Sequence, residues 1–232
     1  MWVVGGVRGL GLAVARACAA RGDLVHLTYH SSAERAAALA DEFSGRIAQL
    51  DAEDADAVRA AADALTNSAG RLDLVVNAVG AYASGSLEGT SPALAEALWR
   101  SNVLTSLNVV AATRDAVRAS RGAYLFFGCA GLAGLRARRE CAAYASAKSA
   151  LLVLMRSLAR EEAPHGVRAN MISPGIVPHD AAHPDTLDPA QHAAIPMGRA
   201  GRPADIAAAA LHLADAAHTT GTDLVVAGGL ML

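Results

Sequence analysis

Short, continuously apolar runs recur along this chain, each separated from the next by an alanine-rich stretch with helical spacing. The runs lie near Trp2–Val4, Val25–Tyr29, Ile47–Leu50, Leu74–Val76, Tyr124–Phe127, Arg168–Ile172 and Leu224–Val226. A strand that is apolar throughout must be covered on both faces, and strand–helix–strand repetition brings successive strands back parallel. The pattern predicts an α/β fold: a doubly wound parallel sheet of about seven strands with helices on both faces. With 232 residues the chain suffices for one well-buried domain, spanning 1–232, rather than two. Hydrophobic residues make up 53% and aromatics only 4%. Much of the apolar share is alanine and valine, which suits close packing of helix on sheet.

Local signals mark several element ends. The stretch "LGLAVARACAARG" repeats apolar residues at helical spacing and stops at Gly22, a good left-handed cap. Ser31 stands three residues before Glu34, a capping-box pattern that predicts a helix start there. Ser91-Pro92 and Arg202-Pro203 place proline where a first helical turn tolerates it. The longest region without a clear element, Val177 to about Ala194, is rich in Pro, His and Asp. It reads either as a lid over a site or as a surface insertion.

Charge and cysteine content exclude several classes. The net charge is −2 and the pI about 6.4. Arg136, Arg138 and Arg139 are too few for a nucleic-acid surface and read as a solvated loop. The opening "MWVVGGVRGLG" lacks the charged and apolar regions of a signal peptide, and no run is long and apolar enough to span a bilayer. Cys18, Cys129 and Cys141 have no paired spacing, so the expectation is a reduced, cytoplasmic protein. His179 and His183, flanked by Asp180 and Asp185, have helical ligand spacing. Pro178 and Pro184 break the helix this would need and no third ligand is obvious, so no metal is predicted.

The turn "VVGGVRGLGLAVA" follows the first strand and opens the first helix. Gly5, Gly9 and Gly11 let the backbone turn tightly and let a pyrophosphate approach free N–H groups at the helix N-terminus. In that context the glycines predict a dinucleotide site. An NAD site usually carries an acidic residue at the end of the second strand, but here that strand ends "TYHSS", with Tyr29, His30 and Ser31 and no carboxylate. Arg8, inside the turn, can meet a 2′-phosphate. The reading favours NADP(H) over NAD(H); Arg8 as a solvated surface charge stays open.

The glycine turn, Asp51 after the third strand, "NAVG" at Asn77–Gly80, Asn102, the pair Tyr144 and Lys148 in "YASAK", and "NMISPG" at Asn170–Gly175 occur in this order. Together they resemble the short-chain dehydrogenase/reductase family over essentially the whole length. The tail from Ile195 to Gly229 is similar to that of bacterial 3-oxoacyl-carrier-protein reductases. The resemblance implies a single Rossmann-type domain, usually a homotetramer (a dimer is the alternative), with one interface near Asn102 and Tyr144. It implies cofactor contacts at Gly5, Arg8, Gly9, Leu10, Gly11, Tyr29, His30, Ser31, Asp51, Ala52, Asn77, Ala78, Val79, Tyr144, Lys148, Pro174, Gly175 and Val177. It also implies that Lys148 holds the nicotinamide ribose and that Asn102 holds a relay water. Substrate choice in the family lies after Pro174–Gly175 and after Gly80, for example at Tyr82.

Tyr144 and Lys148, four residues apart, face the same way on a helix. A free phenol titrates near 10, and a nearby ammonium favours phenolate, so Lys148 is expected to lower the Tyr144 pKa and make it a general acid toward a carbonyl oxygen. The family's serine at the end of the fifth strand is replaced by Cys129, a weaker and longer donor. Tyr144 follows it by 15 residues, a couple more than the family's common spacing. Further departures are Val4 for a threonine bracing the glycine turn, Ala78 and Val79 in place of Asn and Ala, His179 for a threonine, and Ala227 for an Asp or Asn. The leading expectation is an NADPH-dependent reductase of a small-molecule or carrier-bound ketone, such as a 3-oxoacyl thioester. The alternatives are a weakly active or non-catalytic NADP-binding scaffold or partner subunit, and a quinone or pterin reductase.

Overall fold

The computed structural model describes residues 1–134, 137–178 and 189–232. Seven strands form one parallel sheet: β1 (Trp2–Val4), β2 (His26–Tyr29), β3 (Ile47–Gln49), β4 (Leu74–Asn77), β5 (Ala123–Phe127), β6 (Arg168–Pro174) and β7 (Asp223–Val226), in the order β3-β2-β1-β4-β5-β6-β7. The helices are α1 (Gly9–Ala20), α2 (Ala33–Ala38), α3 (Ala55–Ala69), α4 (Pro92–Trp99), α5 (Thr105–Ser120), α6 (Ala142–Glu162), α7 (Pro189–Ala193) and α8 (Pro203–Asp215). A π-helical turn, Arg100–Leu104, joins α4 to α5. Strand order reverses between β1 and β4, and the crevice at such a switch point is where open α/β sheets take ligands.

Alternation along each strand splits the core in two. Trp2, Val4, Val75, Tyr124 and Phe126 pack on one face, with α3, α5 and α6. Val3, Leu27, Val76, Leu125 and Phe127 pack on the other, with α1 and α8. Every residue of β5 is buried. Buried Glu162 at the end of α6 takes both Arg118 (2.7 Å) and Arg114 (3.3 Å) from α5. Those cations hold its carboxyl below the ordinary range and pin together the two helices nearest the candidate site.

Several helix starts follow their sequence signals. Ser91 Oγ accepts the Leu94 N–H (3.1 Å) ahead of Pro92. Asp54 caps α3, which ends on left-handed Gly70. The capping box expected at Ser31 is not formed. Ser32, not Ser31, precedes α2, and its side chain makes no cap bond. With a carboxylate in the first turn but no side-chain cap, α2 runs only six residues. Of the Val177–Ala194 region, positions 179–188 lie outside the described residues, and with them His179, Asp180, His183 and Asp185; the rest includes the short helix α7. Among the described residues no helix is long and apolar enough to cross a membrane, and no metal-holding cluster occurs.

Candidate active site

The glycine turn lies against the end of β4. Gly5 and Gly9 have φ of +79° and +55°, which a side chain would strain. A Cβ at Gly11 would come 2.8 Å from both the Ala78 methyl and the Gly5 carbonyl oxygen. Hence the loop can close onto Ala78 and Val79 only because these positions are bare. The absent threonine at Val4 is compensated from β2: the Gly5 N–H donates to Thr28 Oγ1 (3.2 Å) and the Gly6 N–H to the Thr28 carbonyl (3.0 Å). Arg8 is exposed in extended conformation just before α1, with Leu10 partly buried behind it. A glycine cradle, a free helix N-terminus and an exposed guanidinium fit a dinucleotide phosphate.

Farther along the sheet edge, His30, Gln49, Leu50, Asp51, Ala57 and Ala61 line a cleft of about 400 Å³. His30 Nε2 lies 3.9 Å from the Asp51 carboxylate, which also accepts the Glu53 N–H. On either side of His30 in the chain, Tyr29 is half-buried and Ser31 exposed. Ala52 is buried, its carbonyl taken by Asn108. Asn77 works inward: its amide donates to Ser106 (2.7 Å) and accepts the Val79 N–H (3.3 Å), shaping the turn after β4. Pro174 at the end of β6, and Gly175 and Val177 beyond it, are half-buried. Gly175 donates to the Val226 carbonyl, and a Cβ on it would meet Ala227 at 2.9 Å.

Tyr144 and Lys148 occupy the first two turns of α6. Lys148 is 5% exposed, its Nζ 5.8 Å from the centre of the Tyr144 ring and donating to the Phe127 carbonyl at the end of β5 (2.7 Å). Tyr82 packs edge-on against Tyr144, with ring centres 5.0 Å apart. Asn102 sits fully buried in the π-helical turn. Its Nδ2 donates to the Ala81 and Leu98 carbonyls and to Ser101 Oγ, which fixes the amide's orientation. Its Oδ1 is left without a partner. A Cβ on Gly80 would lie 2.4 Å from that oxygen and 3.3 Å from Lys148 Nζ, so both groups converge on this bare glycine. Sequence reasoning noted Gly80 in "NAVG" without giving it a place among the site residues, and it missed the Phe127 carbonyl, because a backbone acceptor carries no sequence signal.

The electrostatics correct one expectation. Burial pushes the Tyr144 phenol up, with Cys129, Cys141 and Tyr82 adding to the shift; the Lys148 ammonium does not lower it. Burial likewise pulls Lys148 down to about 8, against a smaller opposing effect of Cys129. Partial burial, with the amine's proton directed at a backbone carbonyl, outweighs proximity. Cys129, half-buried after β5, has its thiol pushed up to about 11 by burial, against Arg138 and Lys148. It is therefore a neutral, weak donor at pH 7 and not a nucleophile.

The family model described as "Enoyl-(Acyl carrier protein) reductase" matches residues 5–231. A 3-oxoacyl-[acyl-carrier-protein] reductase of Bos taurus is 31% identical over 99% of this chain and 97% of its own length. An L-fucose dehydrogenase of Bos taurus is 32% identical over 99% of this chain and 88% of its own length. The crystal structure of a blue fluorescent protein from a metagenomic library in complex with NADPH superposes with a TM-score of 0.88 at 30% identity, covering 100% of this chain and 97% of that one. With the seven-stranded parallel sheet and a switch-point crevice floored by glycine, these matches make the chain a member of the short-chain dehydrogenase/reductase family.

Proposed function

We propose that this oxidoreductase reduces a ketone with NADPH, with Tyr144 as general acid, Lys148 and Asn102 as its supporting set and Cys129 as a weak donor to the carbonyl. The observation that carries the reading is the convergence of a buried ammonium and an orphaned amide oxygen on Gly80, next to a phenol that keeps its proton. The bound nicotinamide would supply hydride to the carbonyl carbon. Tyr144, which burial keeps protonated at neutral pH, gives its proton to the carbonyl oxygen as hydride arrives. The unpartnered Asn102 oxygen would accept a hydrogen bond from a water next to Lys148, a route for returning that proton. Exposed Arg8 and the missing carboxylate after β2 support NADP(H), as does the neighbour crystallised with NADPH. The similarity to a 3-oxoacyl-[acyl-carrier-protein] reductase supports a carbonyl substrate. Exposed Trp99, Leu107 and Val153 on α4, α5 and α6 support a homotetramer through these helices, and the free thiols of Cys18, Cys129 and Cys141 support a cytoplasmic setting.

The high-lying Cys129 thiol and the lysine held on Phe127 favour a second reading, a cofactor-binding scaffold with little turnover. The test follows NADPH absorbance with a panel of ketones, a 3-oxoacyl thioester, a quinone and a pterin, in the parent and in Tyr144→Phe. Loss of at least about 100-fold in the variant is expected. Equal turnover in both would end the proposed mechanism, and NADPH binding without any turnover would favour the scaffold.

A further inference from the structure

The loop between β5 and α6 was expected to carry solvated arginines. Arg139 is exposed and Arg136 lies outside the described residues, but Arg138 is partly buried. Its Nη2 donates to the carbonyl of Ala130, the residue after Cys129, and its Nη1 meets the Met231 sulfur at 3.8 Å. Gly131, at φ +83°, makes this possible, because a Cβ there would stand 2.7 Å from Nη2. The guanidinium is thus folded back over the segment that carries the thiol at the serine position, and its charge reaches that thiol.

Other arginines of this chain spend their forks on carboxylates: Arg16 on Glu42, Arg71 on Asp73, Arg118 on Glu162 and Arg199 on Asp205. Partly buried Arg168 spends its fork on three carbonyls at the end of α8. Arg138 has no carboxylate partner among the described residues, although Glu140 is two residues away. Among the described residues only two of its five N–H donors are engaged, and a half-desolvated guanidinium so placed is a fork suited to a carboxylate.

We infer that Arg138 receives a carboxylate on the substrate, so that the ketone reduced at this site is a short oxo acid rather than a neutral thioester. The inference rests on the reductase reading. In that reaction the carbonyl carbon gains hydride from NADPH and the carbonyl oxygen gains the Tyr144 proton. The products are a hydroxy acid and NADP⁺, with the carboxylate unchanged. Arg138 acts as a specificity residue and takes no part in bond making.

The experiment compares acetoacetate with ethyl acetoacetate, which differ only in the masked carboxylate, in the parent, Arg138→Lys and Arg138→Met. The acid-over-ester ratio of kcat/KM should fall at least about tenfold in Arg138→Met, as expected for loss of a charge-assisted hydrogen bond, and less in Arg138→Lys, which keeps charge without the fork. An equal ratio in all three proteins overturns the inference. Should the parent reduce neither probe, calorimetric titration of acetoacetate into the NADP⁺-loaded proteins decides. Saturable binding to the parent that is lost in Arg138→Met upholds the anion site while the reductase reading falls. Equal binding to both, or none to the parent, sinks the anion site. Circular dichroism melts check that each variant is folded, and Arg138→Lys carries the comparison if Arg138→Met is not.

Discussion

Replacing Lys148 by methionine should make the empty protein more stable while removing its activity. Holding a buried ammonium at about 8 instead of its ordinary 10.5 corresponds to about 3 kcal/mol. The sign follows from proton counts. Below pH 8 the lysine is charged in both folded and unfolded chains, so folding carries the whole cost. Between about 8 and 10.5 the unfolded chain binds more protons, so stability rises with pH; above 10.5 the cost is gone. Methionine fills similar space without the charge but leaves the Phe127 carbonyl without its 2.7 Å donor, which offsets about 1 kcal/mol. At pH 7 the variant should therefore be more stable by about 2 kcal/mol, or about 4–8 °C in Tm for a chain of this size. Urea unfolding of both proteins at one protein concentration, from pH 7 to 10.5, isolates the residue, because distant groups cancel in the difference. Across that range the parent should gain about 3 kcal/mol on the variant, so the gap closes and reverses to about 1 kcal/mol in the parent's favour. A gap that stays flat with pH, or a variant less stable at pH 7, would refute the argument that burial of this amine is a cost the fold bears for its site.

Cys129→Ser substitutes a shorter, stronger donor and should raise kcat at least about tenfold, read as NADPH consumption on one ketone; no gain would remove Cys129 from the carbonyl. Gly80→Ala pushes a methyl against Asn102 Oδ1 and Lys148 Nζ and should cut turnover by about 100-fold or more while NADPH still binds, as titrated by fluorescence. Arg8→Ala should weaken NADPH binding by about tenfold and leave NADH binding alone, so the melting shift given by NADPH at equal concentration should drop toward that of NADH.

The strands were legible because each is a compact apolar run, and the observed β1, β3 and β4 differ from the sequence reading by a residue at most. The glycine turn was legible from its spacing, and so was the shared face of Tyr144 and Lys148. Ser31 misled because serine and glutamate three apart satisfy a capping pattern wherever they occur, and tertiary context placed the helix start one residue later. Burial was the other blind spot. The pattern Y-x-x-x-K fixes the two side chains relative to each other but says nothing of the solvent around them, so the direction of the Tyr144 shift came out reversed. The same holds for Arg138. A run of arginines reads as solvated until the backbone shows that Gly131 lets one of them fold inward.

The π-helical turn at Arg100–Leu104 has a consequence for how the site could be disrupted. A π turn holds one residue more than the α-helical turn it replaces. Deleting one residue there would leave a regular α-helical turn with α4 and α5 still in phase, and would re-aim the side chains inside the turn. Asn102 would leave Gly80 while α5 kept its seat on the sheet. Where the amide points is thus set by how many residues the segment contains, a form of specification that no single side-chain replacement can reproduce or repair.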